Sequence, residues 1–196
     1  MTDRPRWFTD TKPGHSQWYV DRFRTLADEG ADLEGEARLV DAMADRGSRI
    51  LDAGCGTGRL SGALHRRGHH VVGVDVDPEL VDAAQADHPG PSYVVADLAG
   101  LELEGDPFDL VVSAGNVMVF LAPASERAVL ERLRRHLRPG GRAVIGFRRE
   151  DHYPYARFDE DTASVGLVLE HRFATWHLDP FASDSDFAVS VLRRTD

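Results

Sequence analysis

One carboxylate and three glycines that follow an apolar segment have the types and spacing that suit nucleotide binding. Asp52 ends a run of residues typical of a buried strand, and glycines follow it at every second position, at Gly54, Gly56 and Gly58. Glycine has no Cβ, so a ligand and a crossing helix can both approach its backbone closely. Residues 59–64 are typical of the start of a helix. A strand that passes through a glycine turn into a helix forms the nucleotide-binding end of many α/β sheets, and we expect one here.

The spacing of these glycines distinguishes two classes of nucleotide cofactor. The dinucleotide fingerprint G-x-G-x-x-G would require its third glycine at position 59, where the chain has Arg59. The Asp-x-Gly-x-Gly-x-Gly pattern of residues 52–58 instead resembles motif I of the class I S-adenosylmethionine-dependent methyltransferases. A glycine-rich loop that binds no ligand is the structural alternative.

Two further carboxylates follow predicted strands at positions that agree with this resemblance. Asp75 ends the second predicted strand, where a carboxylate can accept hydrogen bonds from both hydroxyls of a ribose. Asp77, followed by Pro78, is instead the expected N-cap of the next helix. The resemblance implies that Asp75 binds the ribose and that Asp97, after the third predicted strand, accepts from the adenine amino group. A turn or helix cap is the alternative role for Asp97.

Two later segments extend the resemblance to roughly residues 16–193. The Leu-x-Pro-Gly-Gly turn of residues 137–141, followed by the apolar strand 142–147, is similar to the closing motif of the family. Residues 113–116, at the tip of the fourth predicted strand, lack the (D/N)-P-P-(Y/F) motif of the methyltransferases that modify amino groups of DNA, RNA or glutamine. Small residues at this tip would leave space beside the sulfonium, and Asn116 would either face the cofactor or substrate or cap the turn.

The resemblance implies contacts to S-adenosylmethionine along the ends of the predicted strands. The residues assigned to the cofactor are Asp52, Ala53, Gly54, Cys55, Gly56, Gly58, Asp75, Val76, Asp97, Leu98, Ala114, Gly115, Asn116 and Trp18. Core packing is the alternative for Trp18 and Tyr19. Methyl transfer is an in-line displacement that needs a base only when the nucleophile must lose a proton. No catalytic residue is assigned, and the candidates are His152, His15, Tyr19 and Asn116. We expect no metal site, because Gly68 breaks the helix between His65 and His69.

The elements that would position these residues predict a Rossmann-like, doubly wound α/β fold. Two amphipathic helices, the second with Asp32 as its expected N-cap, precede the first strand. In the family, such helices cover the cofactor and help to close the substrate site. Residues 148–161 are expected to form a loop after the fifth strand. Two long strands, 165–178 and 187–193, flank the turn 179–181, which predicts an antiparallel hairpin. The resemblance implies a seven-stranded sheet of order 3-2-1-4-5-7-6 with strand 7 antiparallel.

Length, composition and charge limit the number of domains and the classes of partner. The 196 residues suit one methyltransferase domain, residues 1–196, with a tail and cap helices in 1–47 and a cofactor-binding core in 48–196. The net charge of −10 argues against nucleic acid. No apolar run is long enough to predict a membrane span. The single cysteine, Cys55, fits a reducing, cytoplasmic setting.

The leading hypothesis is an S-adenosylmethionine-dependent methyltransferase that acts on an unidentified small molecule. The loops after the fourth and fifth predicted strands are short, which favours a small-molecule substrate or a pocket that a partner chain completes. We expect a monomer or homodimer. The alternatives are a non-catalytic protein that binds S-adenosylmethionine or S-adenosylhomocysteine, and an NAD-dependent oxidoreductase. Arg59 and the terminal hairpin disfavour the last of these.

Overall fold

The computed structural model describes residues 4–196 and contains, within them, one seven-stranded sheet. The strands are β1 (Arg49–Ala53), β2 (His70–Asp75), β3 (Ser92–Val95), β4 (Phe108–Ser113), β5 (Leu137–Arg148), β6 (Leu167–Phe173) and β7 (Phe187–Arg194). Their order is β3-β2-β1-β4-β5-β7-β6, and β7 runs antiparallel to both of its neighbours. The predicted fold class and strand order are therefore confirmed.

Helices cover both faces of this sheet. They are α1 (Arg6–Thr9), α2 (His15–Asp28), α3 (Gly35–Met43), α4 (Arg59–Arg66), α5 (Pro78–Asp87), α6 (Val117–Phe120), α7 (Glu126–His136) and α8 (Tyr155–Ser164). No helix within residues 4–196 combines the length and the apolar character needed to cross a membrane.

The central strand β1 is buried on both faces, as is usual for a parallel sheet that lies between helices. Ile50 packs in the cluster that contains Ala37 and Val40 of α3, whereas Leu51 packs in the cluster that contains Val129 of α7. Strands β1 to β4 are parallel, so their carboxyl ends lie along one edge of the sheet. This edge holds all of the predicted strand-tip residues.

The predicted loop at 148–161 is wrong in its second half, because α8 begins at Tyr155. Tyr155, Phe158 and Thr162 are buried on one face of the helix, with the three- and four-residue spacing of a helical stripe. Pro154 immediately precedes the helix, where the fixed φ of proline and its missing N–H are tolerated.

The prediction that Asp32 is the N-cap of the second helix is also wrong. Helix α3 begins at Gly35, so Asp32 lies in the preceding loop, where its carboxylate accepts from the Glu34 N–H (3.1 Å) and pairs with Arg38 of the helix (2.7 Å). The acid therefore ties this loop to the helix through Arg38 and does not act as the N-cap.

The terminal hairpin is confirmed, although its first strand is shorter than predicted. Strand β6 ends at Phe173, and the following segment folds back over the sheet. A Cβ added at Gly146 of β5 would lie 2.4 Å from Cζ2 of Trp176, so the indole occupies the space above this glycine. Packing of Trp176 on β5 thus replaces continuation of β6.

Candidate nucleotide-binding cleft

A cleft of about 860 Å³ lies at the carboxyl edge of β1 to β4. Asp52, Asp75 and Asp97, which end or follow three neighbouring strands, all line it. The other predicted cofactor residues that line it are Gly54, Cys55, Gly56, Val76, Leu98, Ala114 and Gly115. The sheet therefore brings together residues that are up to 63 positions apart, from Asp52 to Gly115.

The glycine loop is folded tightly against its neighbours. The N–H groups of Gly54 and Cys55 both donate to the Val74 carbonyl, at 2.7 and 2.9 Å, which closes the turn onto β2. Gly54 has a φ of 84°, and a Cβ there would lie 2.2 Å from Cγ2 of Val117. Glycine at this position is required both by the backbone conformation and by the approach of α6.

Two predicted contact residues in this region do not line the cleft. Ala53 is fully buried in the core beneath it. Gly58 packs on α5, where an added Cβ would lie 2.7 Å from the Cβ of Ala84. Both residues support the loop from below.

Asp52 is the most deeply buried of the three cleft carboxylates, with 1% of its surface exposed. Ser61 Oγ donates to it at 2.6 Å. Burial raises the pKa of Asp52 to about 6, and the opposing effects of the Ser61 hydroxyl and the Arg59 guanidinium are smaller. A carboxylate in this setting gains most from a cationic ligand group, because such a group relieves the unfavourable burial of its charge.

Asp75 is held in place by backbone donors. Gly56 N–H donates to one carboxylate oxygen at 2.8 Å, and Asp77 N–H donates to the other at 3.0 Å. Each oxygen retains a second lone pair, so the carboxylate can still accept from two hydroxyls. Burial raises the pKa of Asp75, and these backbone hydrogen bonds oppose that effect.

Asp97 caps a turn, which is the alternative role that the sequence allows for it. One of its oxygens accepts from the Ala99 N–H at 2.9 Å, which caps the 3-10 turn Leu98–Gly100. The carboxylate also lines the cleft, so capping and a ligand contact are compatible.

Four candidate residues lie outside the cleft lining. Asn116 Oδ1 accepts from the Arg148 N–H at 2.8 Å, which ties the tip of β4 to that of β5. The ring of Trp18 is half exposed and stacks on His15, with ring centroids 5.1 Å apart. His152 Nε2 lies 3.2 Å from the carbonyl oxygen of Val119 in α6.

Of the four catalytic candidates, Tyr19 lines the cleft. Its ring lies over the glycine loop, 3.6 Å from the position that a Cβ of Gly56 would take. Its hydroxyl oxygen lies 3.8 Å from the corresponding position at Gly115. Burial raises the pKa of Tyr19, so its hydroxyl stays protonated at neutral pH.

Sequence reasoning missed a second group of lining residues, most of them aromatic or apolar. They are Pro5, Trp7, Thr57, Arg59, Leu60, Leu80, Val117, Phe120 and Leu121. The Trp7 ring meets the rings of Tyr19 and Phe120 edge-on, each at a centroid distance of 5.6 Å. The available signal was the adjacent aromatic pair Trp7 and Phe8 in a largely polar N-terminal segment.

Comparisons with known proteins agree on one family. A family model described as a methyltransferase domain matches residues 50–141. The crystal structure of a TehB-like SAM-dependent methyltransferase from Corynebacterium glutamicum is 47% identical, with a TM-score of 0.89, and the match covers 94% of this chain and 100% of that one.

Curated relatives match over shorter stretches. Magnesium-protoporphyrin O-methyltransferase from Rhodobacter capsulatus is 36% identical over 57% of this chain and 52% of its own length. Malonyl-[acyl-carrier protein] O-methyltransferase from Pectobacterium atrosepticum is 34% identical over 68% of this chain and 49% of its own length. The chain spans about half the length of these curated relatives.

Proposed function

Because the chain belongs to the S-adenosylmethionine-dependent methyltransferase family, we propose that it transfers a methyl group from this cofactor to a small-molecule acceptor. The observation that carries the proposal is the convergence of Asp52, Asp75 and Asp97 on one cleft beside a glycine loop. These are the residue types that an ammonium, a ribose diol and an adenine amino group require.

The residues that line the cleft fit such a cofactor in their chemistry. Asp52 would pair with the cationic amino group of the methionine part, Asp75 would accept from the ribose hydroxyls, and the free acceptor capacity of Asp97 would face the adenine. The absence of side chains at Gly54 and Gly56 keeps the loop backbone accessible to the ligand. When bound, the cofactor would supply a sulfonium methyl group that is already activated for displacement.

The chain's own contribution to the reaction is alignment and exclusion of water. Holding two reactants in the reacting geometry is worth roughly 7–11 kcal/mol. The aromatic rings of Trp7, Tyr19 and Phe120 contact one another and form an apolar part of the cleft lining. We assign Tyr19 the role of orienting the acceptor through a hydrogen bond from its hydroxyl, because that hydroxyl lies beside the tip of β4.

The proposal of a small acceptor is supported by the apolar wall that the N-terminal segment builds over the cleft. Several relatives are named for small acceptors, including a ubiquinone biosynthesis O-methyltransferase from Xylella fastidiosa that is 34% identical over 50% of this chain.

The direct test is formation of S-adenosylhomocysteine when the protein is mixed with S-adenosylmethionine and fractionated small-molecule extracts. We expect turnover with at least one fraction and a large loss in Asp75→Ala, which removes the ribose acceptor. Asp82→Ala, which removes an exposed acid of α5, is the matched control and should keep full activity. Cofactor binding by calorimetry without turnover in any fraction would instead favour a non-catalytic binding protein.

A further inference from the structure

Asp77 is a buried carboxylate whose hydrogen bonds exceed what a helix cap needs. One oxygen accepts from the Glu79 N–H at 3.0 Å and caps α5 as the sequence predicts. The other oxygen accepts from Trp7 Nε1 at 2.7 Å and also from the hydroxyl of Ser16. The backbone N–H of the same residue donates to Asp75 at 3.0 Å. Asp77 is 3% exposed, so these contacts are shielded from water.

The two side-chain donors belong to the segment that covers the cleft. Trp7 lies on α1 and Ser16 on α2, and we call residues 4–28 the lid segment. Pro5, Trp7 and Tyr19 of this segment line the cleft, and Val20 packs on Leu80 of α5. At its far end, Arg24 makes two hydrogen bonds with Asp87, at 2.9 and 3.1 Å. The lid segment is therefore fastened to α5, beside the predicted ribose site.

Capping alone does not explain a carboxylate at this position. An N-cap requires one side-chain oxygen, and serine, threonine or asparagine supplies it as well as aspartate does. The second oxygen of Asp77 accepts from Trp7 and Ser16, and these contacts hold α1 and α2 against α5. Hydrogen bonds to an ionised acceptor are roughly twice as strong as neutral ones, which suits a latch of few contacts.

We propose that Asp77 is a positioning residue that latches the lid segment over the cleft and, through its own N–H, fixes the orientation of Asp75. The proposal rests on the proposed function, since it assigns the lid a role in retaining S-adenosylmethionine. Opening of the latch would precede entry and release of the cofactor. Its strength would therefore set the residence time of the cofactor more than the chemistry of transfer.

Cys55 reports on opening of the lid in the free protein. It is the single cysteine of the chain, it is 7% exposed, and it lines the cleft under the lid segment. Trp7→Phe removes the indole N–H and keeps an aromatic ring, and Asp77→Asn keeps an oxygen for the cap but loses the charged acceptor. We expect both to raise the rate of Cys55 labelling by a maleimide by about tenfold or more, as loss of a hydrogen bond to a charged group predicts.

Gln17→Ala is the control within the lid segment, because it truncates an exposed side chain of α2 that lies outside the cleft lining. Leu130→Ala, in the buried core of α7, controls for labelling that occurs through global unfolding. A labelling rate in Trp7→Phe within twofold of wild type, or no higher than in Leu130→Ala at equal unfolding free energy, would overturn the latch.

The second measurement is the dissociation rate of S-adenosylhomocysteine by stopped-flow. We expect a rise of about tenfold in Trp7→Phe, a further rise on adding Ser16→Ala, and no change in Gln17→Ala. A role in folding alone would lower the unfolding midpoint and leave this rate unchanged, which would also overturn the proposal. If the wild-type protein binds neither this compound nor S-adenosylmethionine, the proposed function fails, while Cys55 labelling still decides whether the latch exists.

Discussion

At the residue scale, the buried carboxylate of Asp52 affects both cofactor binding and the free energy of unfolding. The pKa of this carboxyl is raised from 3.8 to about 6 by burial, so between these pH values the folded state binds more protons than the unfolded state. The free energy of unfolding therefore falls as pH rises through this window, by roughly 3 kcal/mol at most. Ligand-binding residues commonly carry such a cost.

Asp52→Asn should consequently stabilise the protein in the absence of cofactor. The amide keeps an oxygen that can accept from Ser61 and removes the buried charge. We expect a gain of about 1–3 kcal/mol in the free energy of unfolding in urea at pH 8, shrinking towards zero near pH 3, where the wild-type carboxyl is mostly protonated in both states. An equal effect at both pH values would show that charge burial is not the cause.

The same carboxyl predicts how cofactor affinity depends on pH. An ionised Asp52 attracts the ammonium of S-adenosylmethionine and a protonated one does not. With a pKa of about 6, the dissociation constant measured by calorimetry should rise about tenfold from pH 7 to pH 5. In Asp52→Asn the affinity at pH 7 should already be low, and this part of the pH dependence should be absent. Any remaining dependence would come from Asp75, whose pKa is also raised by burial.

At the element scale, the contact between the glycine loop and α6 can be separated from backbone strain. Gly54 and Gly68 have similar φ values, 84° and 92°, but a Cβ at Gly68 meets nothing within 4 Å whereas one at Gly54 meets Val117 at 2.2 Å. Gly68→Ala should cost about 1–2 kcal/mol through the left-handed conformation. Gly54→Ala should add about 1–3 kcal/mol of overpacking, and Val117→Ala in the same chain should recover much of that excess. Chemical denaturation of these three variants, together with Val117→Ala alone, measures each term.

Local pattern predicted most elements of the core. Alternation and apolar runs located β1 to β5, and Asp77 with Pro78 located the start of α5 because cap and first-turn preferences are local. Helix α8 was missed because its apolar stripe is short and carries acids between the buried positions. Strand β6 was predicted too long because its end is set by Trp176 on Gly146, a contact between distant parts of the chain.

At the scale of the whole molecule, the parallel sheet explains which part of the site was predictable. The carboxyl ends of parallel strands share one edge of the sheet, so the sequence alone could assign Asp52, Asp75 and Asp97 to one cleft. The aromatic part of the cleft lining could not be predicted in this way. Trp7 contacts Asp77 across 70 residues of sequence, and no local pattern specifies that pairing. The ligand roles of these residues stay predictions that binding experiments decide.

Ligand-linked stability tests the assignment on the intact chain. A ligand that binds only the folded state stabilises it by about 2.7 kcal/mol at a concentration 100 times its dissociation constant. For a chain of this size each kcal/mol moves the unfolding midpoint by about 2–4 °C, so S-adenosylmethionine at that concentration should raise it by roughly 5–10 °C. NAD at the same concentration should leave the midpoint in place, since Arg59 stands where the dinucleotide fingerprint needs glycine. Asp75→Ala should respond much less to S-adenosylmethionine, whereas Asp82→Ala should respond as wild type does. A larger rise of the unfolding midpoint with NAD than with S-adenosylmethionine would favour the alternative of an NAD-dependent oxidoreductase.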